Sequence, residues 1–277
     1  MKRGFPKSEY QQRFEWIRNE MMRKELEVIV LTSPNEIYYY TGLTTQFFQS
    51  PSRPYYLLLT PNYRTPIAIF PEIMGSPILE TTWVESCRTW VSPNKIDDGV
   101  SLLLETVQEN LSGSDSCKIG FVLGSETKLH PCYNDIHKIF QGLKSHEIQD
   151  VTSLIHEQRS IKSHLEIEKI SHICDVVSNS LHNLPNLIEL ELLKNPSLRS
   201  CFTERDVCRV LRSDIMGQQH GADSIPYMMY GLLILFFLFC IFIYVLRFKP
   251  ALFFFSINQG TKWSRWILQH RSRSYMS

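Results

Sequence analysis

The 277 residues, 32.5 kDa in mass, suffice for one large domain or for one domain and a fragment. With 43% hydrophobic and 21% charged residues the chain can bury a core, and a net charge of +1 gives no ground for nucleic acid or an acidic surface as partner. That average hides a split: residues 1–223 hold all 28 acids against 23 Lys and Arg, whereas residues 224–277 hold no acid and six bases.

From Ser8 to Glu25 the apolar residues Tyr10, Phe14, Ile17, Met21 and Met22 recur at helical steps, which predicts an amphipathic helix with Ser8 as N-cap. Val28–Leu31 is a short β-branched run, read as a buried strand. A short helix over Asn35–Tyr40 closes on Gly42, and strands at Tyr55–Thr60 and Thr65–Phe70 form a hairpin about the turn Pro61–Arg64. A helix over Pro71–Glu80, a strand at Cys87–Val91, and a helix over Asp98–Asn110 capped by Asp97 or Asp98 follow. Next come a strand at Lys118–Leu123, a helix at Tyr133–Leu143 and a strand at Glu147–Val151. Strands spaced by helices predict an α/β fold with a mixed sheet flanked by helices, ending near Leu154. A long helix from Ser163 to Leu184 carries Leu165, Ile167, Ile170, Ile173, Val176 and Val177 on one face. Pro185–Phe202 reads as irregular, and Thr203 caps a last helix through Met216 with Asp206 at N3.

The seven cysteines are scattered, with no Cys-x-x-Cys pair, so they read as reduced thiols of a cytoplasmic protein. Met1–Lys7 has no apolar stretch of the secretory kind, and the sequon Asn110-Leu111-Ser112 reads as chance. Gly120 and Gly124 lack the third glycine of a dinucleotide fingerprint, and His156-Glu157 lacks a second histidine at zincin spacing. Asp97-Asp98 reads as a helix cap, and Tyr38-Tyr39-Tyr40 with Phe47-Phe48 as packing.

Several segments together resemble one family. Asn35-Glu36-Ile37-Tyr38-Tyr39-Tyr40-Thr41-Gly42, then Gln46–Pro54 and Asp97–Val100, are similar to the N-terminal domain of the creatinase, aminopeptidase P and prolidase metallopeptidases. Arg159-Ser160-Ile161-Lys162-Ser163 with Glu166–Ile170 resembles the junction of that domain with the pita-bread catalytic domain, and Gly221–Tyr227 resembles its first strand. The resemblance implies a creatinase-type domain over 1–157, an incomplete pita-bread domain over 158–227 and a divergent tail over 228–277. It implies hydrolysis of peptide bonds next to proline by a pair of divalent ions such as manganese, cobalt or zinc, held by two Asp, one His and two Glu. The family's ligands lie beyond the segment matching Pro226-Tyr227, so none can be assigned to a residue here. The resemblance also implies a homodimer paired through the N-terminal domain, and Arg53 is the residue nominated for a substrate carboxylate.

Ile225–Leu246 holds 22 residues without a charge. At ~1.5 Å per residue it could cross a bilayer core of roughly 30 Å, so 225–246 is a candidate transmembrane helix. All six bases follow it, which by the positive-inside rule would place the cysteine-bearing domain outside. Eight of the 16 Phe lie after residue 235, and the tail therefore reads as translated intron or frame-disrupted sequence in preference to an evolved anchor. The leading expectation is an Xaa-Pro peptidase-like chain cut off before its metal ligands, inactive as it stands. The competing one is a non-catalytic dimerisation or binding module anchored to a membrane through 225–246.

Overall fold

A computed structural model describes residues 4–218 apart from 51, 75–81 and 95, and the chain divides into two units at Ser171. In the first unit, helix α1 (Lys7–Lys24) buries Tyr10, Phe14, Ile17 and Met21, the stripe that the periodicity predicts. Its cap is Pro6 and not Ser8. Pro6 stays extended at φ −65° and ψ 155°, and its carbonyl already accepts the Glu9 N–H at 3.0 Å, so the helix opens before Ser8.

Six strands follow: β1 (Leu26–Leu31), β2 (Tyr56–Leu59), β3 (Ile67–Pro71), β4 (Ser86–Trp90), β5 (Lys118–Phe121) and β6 (Glu147–Asp150). They form one mixed sheet in the order β4-β3-β2-β1-β5-β6, with β2 antiparallel to both neighbours and every other pair parallel. The hairpin of β2 and β3 is the one the Pro61–Arg64 turn predicts. Both faces of the middle strands are covered, which is why β2 and β3 read as unbroken apolar runs.

On one face Leu57, Leu59, Ala68 and Phe70 join a core with α1, α2 (Pro34–Thr41) and α5 (Thr152–Ser160). On the other, Tyr56, Leu58, Ile67 and Ile69 meet α3 (Val100–Glu109) and α4 (Tyr133–Gly142). Leu26 and Ile29 reach the same face despite their odd spacing, because the register against β5 shifts between Leu26 and Val28. Ser33 caps α2, and Gly42 closes it at φ 75° as predicted.

Several sequence expectations need correction. Of the helix expected over Pro71–Glu80, the described part is a 3-10 turn, Glu72–Met74, and residues 75–80 lie outside the described residues. The N-cap position of α3 is Gly99, at φ 81°, and neither Asp97 nor Asp98, yet Asp97 Oδ1 reaches in from two residues upstream to accept the Val100 N–H at 2.7 Å and the Ser101 N–H at 3.2 Å. Helix α5 was not expected at all. It is nine residues long and buries only Leu154 and Ile155 as hydrophobics, too little for a periodic signal.

Helix α6 (His164–Lys194) begins in the first unit and runs into the second, straight through Pro185, so the region expected to be irregular is helical to Lys194. Pro185 removes one hydrogen bond, whereas the surrounding Leu, Ile and Glu favour helix and Leu184 is buried. Its apolar stripe is not uniformly a core face: Ile167 is 55% and Ile170 51% exposed, while Val176 is buried. In the second unit α7 (Glu204–Gly217) carries the expected Thr203–Asp206 capping box. The six cysteines among the described residues are unpaired, and Asn110 of the sequon is buried with its amide donating to the Thr106 carbonyl. The candidate helix 225–246 and the tail 228–277 lie outside the described residues, among which no helix is long and apolar enough to cross a membrane.

Candidate functional site

A cleft of about 620 Å³ opens where α2 begins, α5 ends and the 126–128 loop passes. Its floor is built on Arg13, which α1 places on its buried stripe between Tyr10 and Phe14. A guanidinium that is 5% exposed must be fully paired. Arg13 donates from Nε and Nη2 to Glu9 Oε1 at 3.2 and 3.1 Å, and from Nη1 to the Tyr39 carbonyl at 2.9 Å. Glu166 Oε1 stands 3.3 Å away, and the guanidinium lies between the rings of Phe5 and Tyr39, 4.4 and 4.2 Å from their centroids. The other oxygen of Glu166 accepts the Ser163 N–H at 2.9 Å, and Ser163 Oγ accepts the Glu166 N–H at 3.2 Å. One carboxylate thus caps the start of α6 and pairs with α1.

Beside this pair lies a second one. Glu36, in the first turn of α2, accepts a bond at 3.3 Å from Arg159 Nη1 near the end of α5. Glu36 is 5% exposed, and its Oε2 has no hydrogen-bond partner. The Arg159 side chain is 35% exposed and stands 5.9 Å from the Tyr39 ring. Lys128, His156 and Lys162 line the same cleft, with Lys162 donating to the carbonyls of Arg159 and Ser160. Beneath, Tyr40 donates to Gln158 Oε1 at 2.5 Å while Gln158 Nε2 donates to the Arg13 carbonyl at 2.7 Å, tying α1, α2 and α5 together. Burial pushes the Tyr39 phenol up and the fully buried Tyr40 phenol well up, so both stay neutral donors. The reading of the tyrosine run as packing holds for Tyr39 and Tyr40, whereas Tyr38 is 38% exposed in the cleft wall.

Arg53 is not in this cleft. It sits half-buried at φ 63°, where its charge acts on Tyr55 and Asp98. Burial pushes Tyr55 up to about 12, and burial followed by the Asp135 charge raises Asp98. Among the described residues no group of three or more His, Cys, Asp and Glu could hold a metal ion. The donor set for a dinuclear centre is therefore not assembled there. Arg13 was missed by sequence reasoning, although a lone cation on the apolar stripe of α1, four residues after Glu9, is the signal that could have found it. Glu36 and Arg159 stood only as landmarks of the resemblance.

The model of the creatinase/prolidase N-terminal domain matches residues 13–161. The chain belongs to the creatinase/prolidase family. The match takes in Arg13, Glu36, Arg53 and Arg159. Among solved structures, the creatinase-type chain is similar to a prolidase from Thermococcus sibiricus, with a TM-score of 0.61 at 17% identity over 79% of this chain and 52% of that one. A dipeptidase from Mycobacterium ulcerans matches with a TM-score of 0.56 at 17% identity, over 79% of this chain and 52% of its own. An Xaa-Pro dipeptidase from Bacillus anthracis gives 0.54 at 14% identity, over 74% and 48%. The chain spans about half the length of these proteins, and at such identities the likeness is one of fold. No curated protein matches by sequence.

Proposed function

We propose that this chain is the N-terminal, non-catalytic part of an Xaa-Pro peptidase architecture, and that it does not hydrolyse peptides by itself. The observation that supports the reading is the pairing of the creatinase/prolidase family match over 13–161 with the donor inventory. Two divalent ions held by carboxylates and an imidazole are what make the hydroxide nucleophile in such chemistry. The described residues hold no cluster of that kind, and residues 224–277 contain no Asp or Glu. Among the described residues the donors do not fit manganese, cobalt or zinc as a dinuclear centre. The creatinase-type unit serves pairing between copies, and Arg53 would offer its guanidinium to a substrate carboxylate only in a full-length relative.

The test is the purified 277-residue chain incubated with an alanyl-proline dipeptide and Mn²⁺, Co²⁺ or Zn²⁺ in turn. The expected result is no proline release above the metal-only blank. Turnover near an ordinary enzyme rate, on the order of 1 s⁻¹ or more, would overturn the reading.

A further inference from the structure

The two acid–base pairs in the cleft are not equally satisfied. Arg13 has its donors taken by Glu9, the Tyr39 carbonyl and Glu166. Arg159 has one side-chain bond, 3.3 Å long, to Glu36 Oε1. Glu36 is buried, yet its Oε2 accepts nothing. A buried carboxylate oxygen left so is an exception that calls for a donor. The missing donor is cationic or polar, and the neighbouring guanidinium still has edges to offer an anion.

We infer that this cleft binds a free α-amino acid as its zwitterion, with the ammonium on Glu36 and the carboxylate on Arg159. A simple anion would meet Glu36, Glu126 and Glu166, and a simple cation would meet Arg159, Lys128 and Lys162. A ligand with both charges on one carbon meets neither penalty. Arg159 Nη1 and Glu36 Oε1 are in contact at 3.3 Å, so an ammonium on one side chain and a carboxylate on the other must be borne by neighbouring atoms, as in an amino acid. In a dipeptide the termini are further apart by roughly 3.3–3.6 Å, one residue's length, and cannot sit on both at once. The exposed ring of Tyr38 gives an apolar wall for a side chain, and about 620 Å³ lies within the usual range for small-ligand sites. Because Oε2 is buried, the Arg159 side chain, partly exposed and held by one bond, must move aside as the ammonium enters.

The inference does not depend on peptidase chemistry, because binding is read without turnover. Calorimetric titration of the full chain with L-leucine is expected to saturate at one per chain, with a Kd of about 1 mM or tighter. N-acetyl-L-leucine, L-leucine amide and the dipeptide leucyl-proline each lack one charge or the spacing, and each should bind at least about tenfold more weakly. Glu36→Gln and Arg159→Gln should each weaken leucine by at least about tenfold while the chain remains folded by circular dichroism. No saturable binding of leucine, equal binding of the blocked analogues, or unchanged affinity in both variants would overturn the assignment. Should a variant fail to fold, the analogue series on the unaltered chain decides it alone.

Discussion

Arg13 shows how one residue organises a domain. Its charge is out of water, so its worth lies in the partners it would strand if removed: Glu9 and Glu166 among the charges, and the Tyr39 carbonyl. Arg13→Met is expected to lower unfolding free energy by about 3–5 kcal/mol, measured by urea denaturation. Arg13→Lys should restore little of it, because an ammonium cannot serve Glu9 from two nitrogens and lie flat between Phe5 and Tyr39. A loss below about 1 kcal/mol for Arg13→Met would mean the network is incidental.

Gly120 makes the opposite point, by what it lacks. A Cβ there would stand 2.7 Å from Val151 Cγ1 and 2.9 Å from Ile29 Cγ1, in the middle of the sheet. Gly120→Ala should cost about 1–3 kcal/mol by the same measurement, and a neutral result would show that Val151 can move aside. Arg13 left a trace in the sequence as a cation on an apolar stripe, whereas the role of Gly120 left none. Gly120 could be weighed there only as part of a fingerprint, because the approach of Val151 is a tertiary fact.

At the scale of elements, the junction of β6 with α5 is held by polar groups. Asp150 Oδ1 accepts the Thr152 hydroxyl, the Thr152 N–H at 2.9 Å and the Leu123 N–H at 3.1 Å. Thr152 Oγ1 in turn accepts the Gly124 N–H at 2.7 Å. The Thr152 hydroxyl is the main cause that holds the Asp150 carboxyl below its usual range. A carboxylate whose folded pKa is depressed contributes stability above its unfolded value of about 3.9, and loses it as pH falls through the folded value. Asp150→Asn should therefore be less stable than the parent at pH 7, and the gap should close as pH drops below about 4. A gap that stays constant down to pH 2 would contradict this cause.

Strands and amphipathic helices were the legible elements, because β1, β2, β3 and α1 bury residues in patterns that local spacing displays. Helix α5 and the passage of α6 through Pro185 were not. The first is held by side chains from distant segments such as Tyr40 and Glu36, and the second shows context outweighing one unfavourable residue.

For the whole molecule, the sequence carried the fold class and the family, since the order of segments from Asn35 to Ile170 resembles the creatinase-type domain that residues 13–161 match. It did not carry the strand order or the cleft, because β5 slots beside β1 only through a crossover and Glu36 meets Arg159 across 123 positions. The acid-free composition after Asp223 remains the strongest sequence argument about chemistry. It bears on function directly, because a dinuclear hydrolase needs several carboxylates on one pair of ions.

Bound metal in the full chain therefore tests the account most directly. After equilibration with Mn²⁺, Co²⁺ or Zn²⁺ and desalting, elemental analysis is expected to find well below about one ion per chain. A stoichiometry of about two ions per chain, retained through desalting, would mean that the chain assembles the dinuclear centre and would contradict its reading as a non-catalytic part.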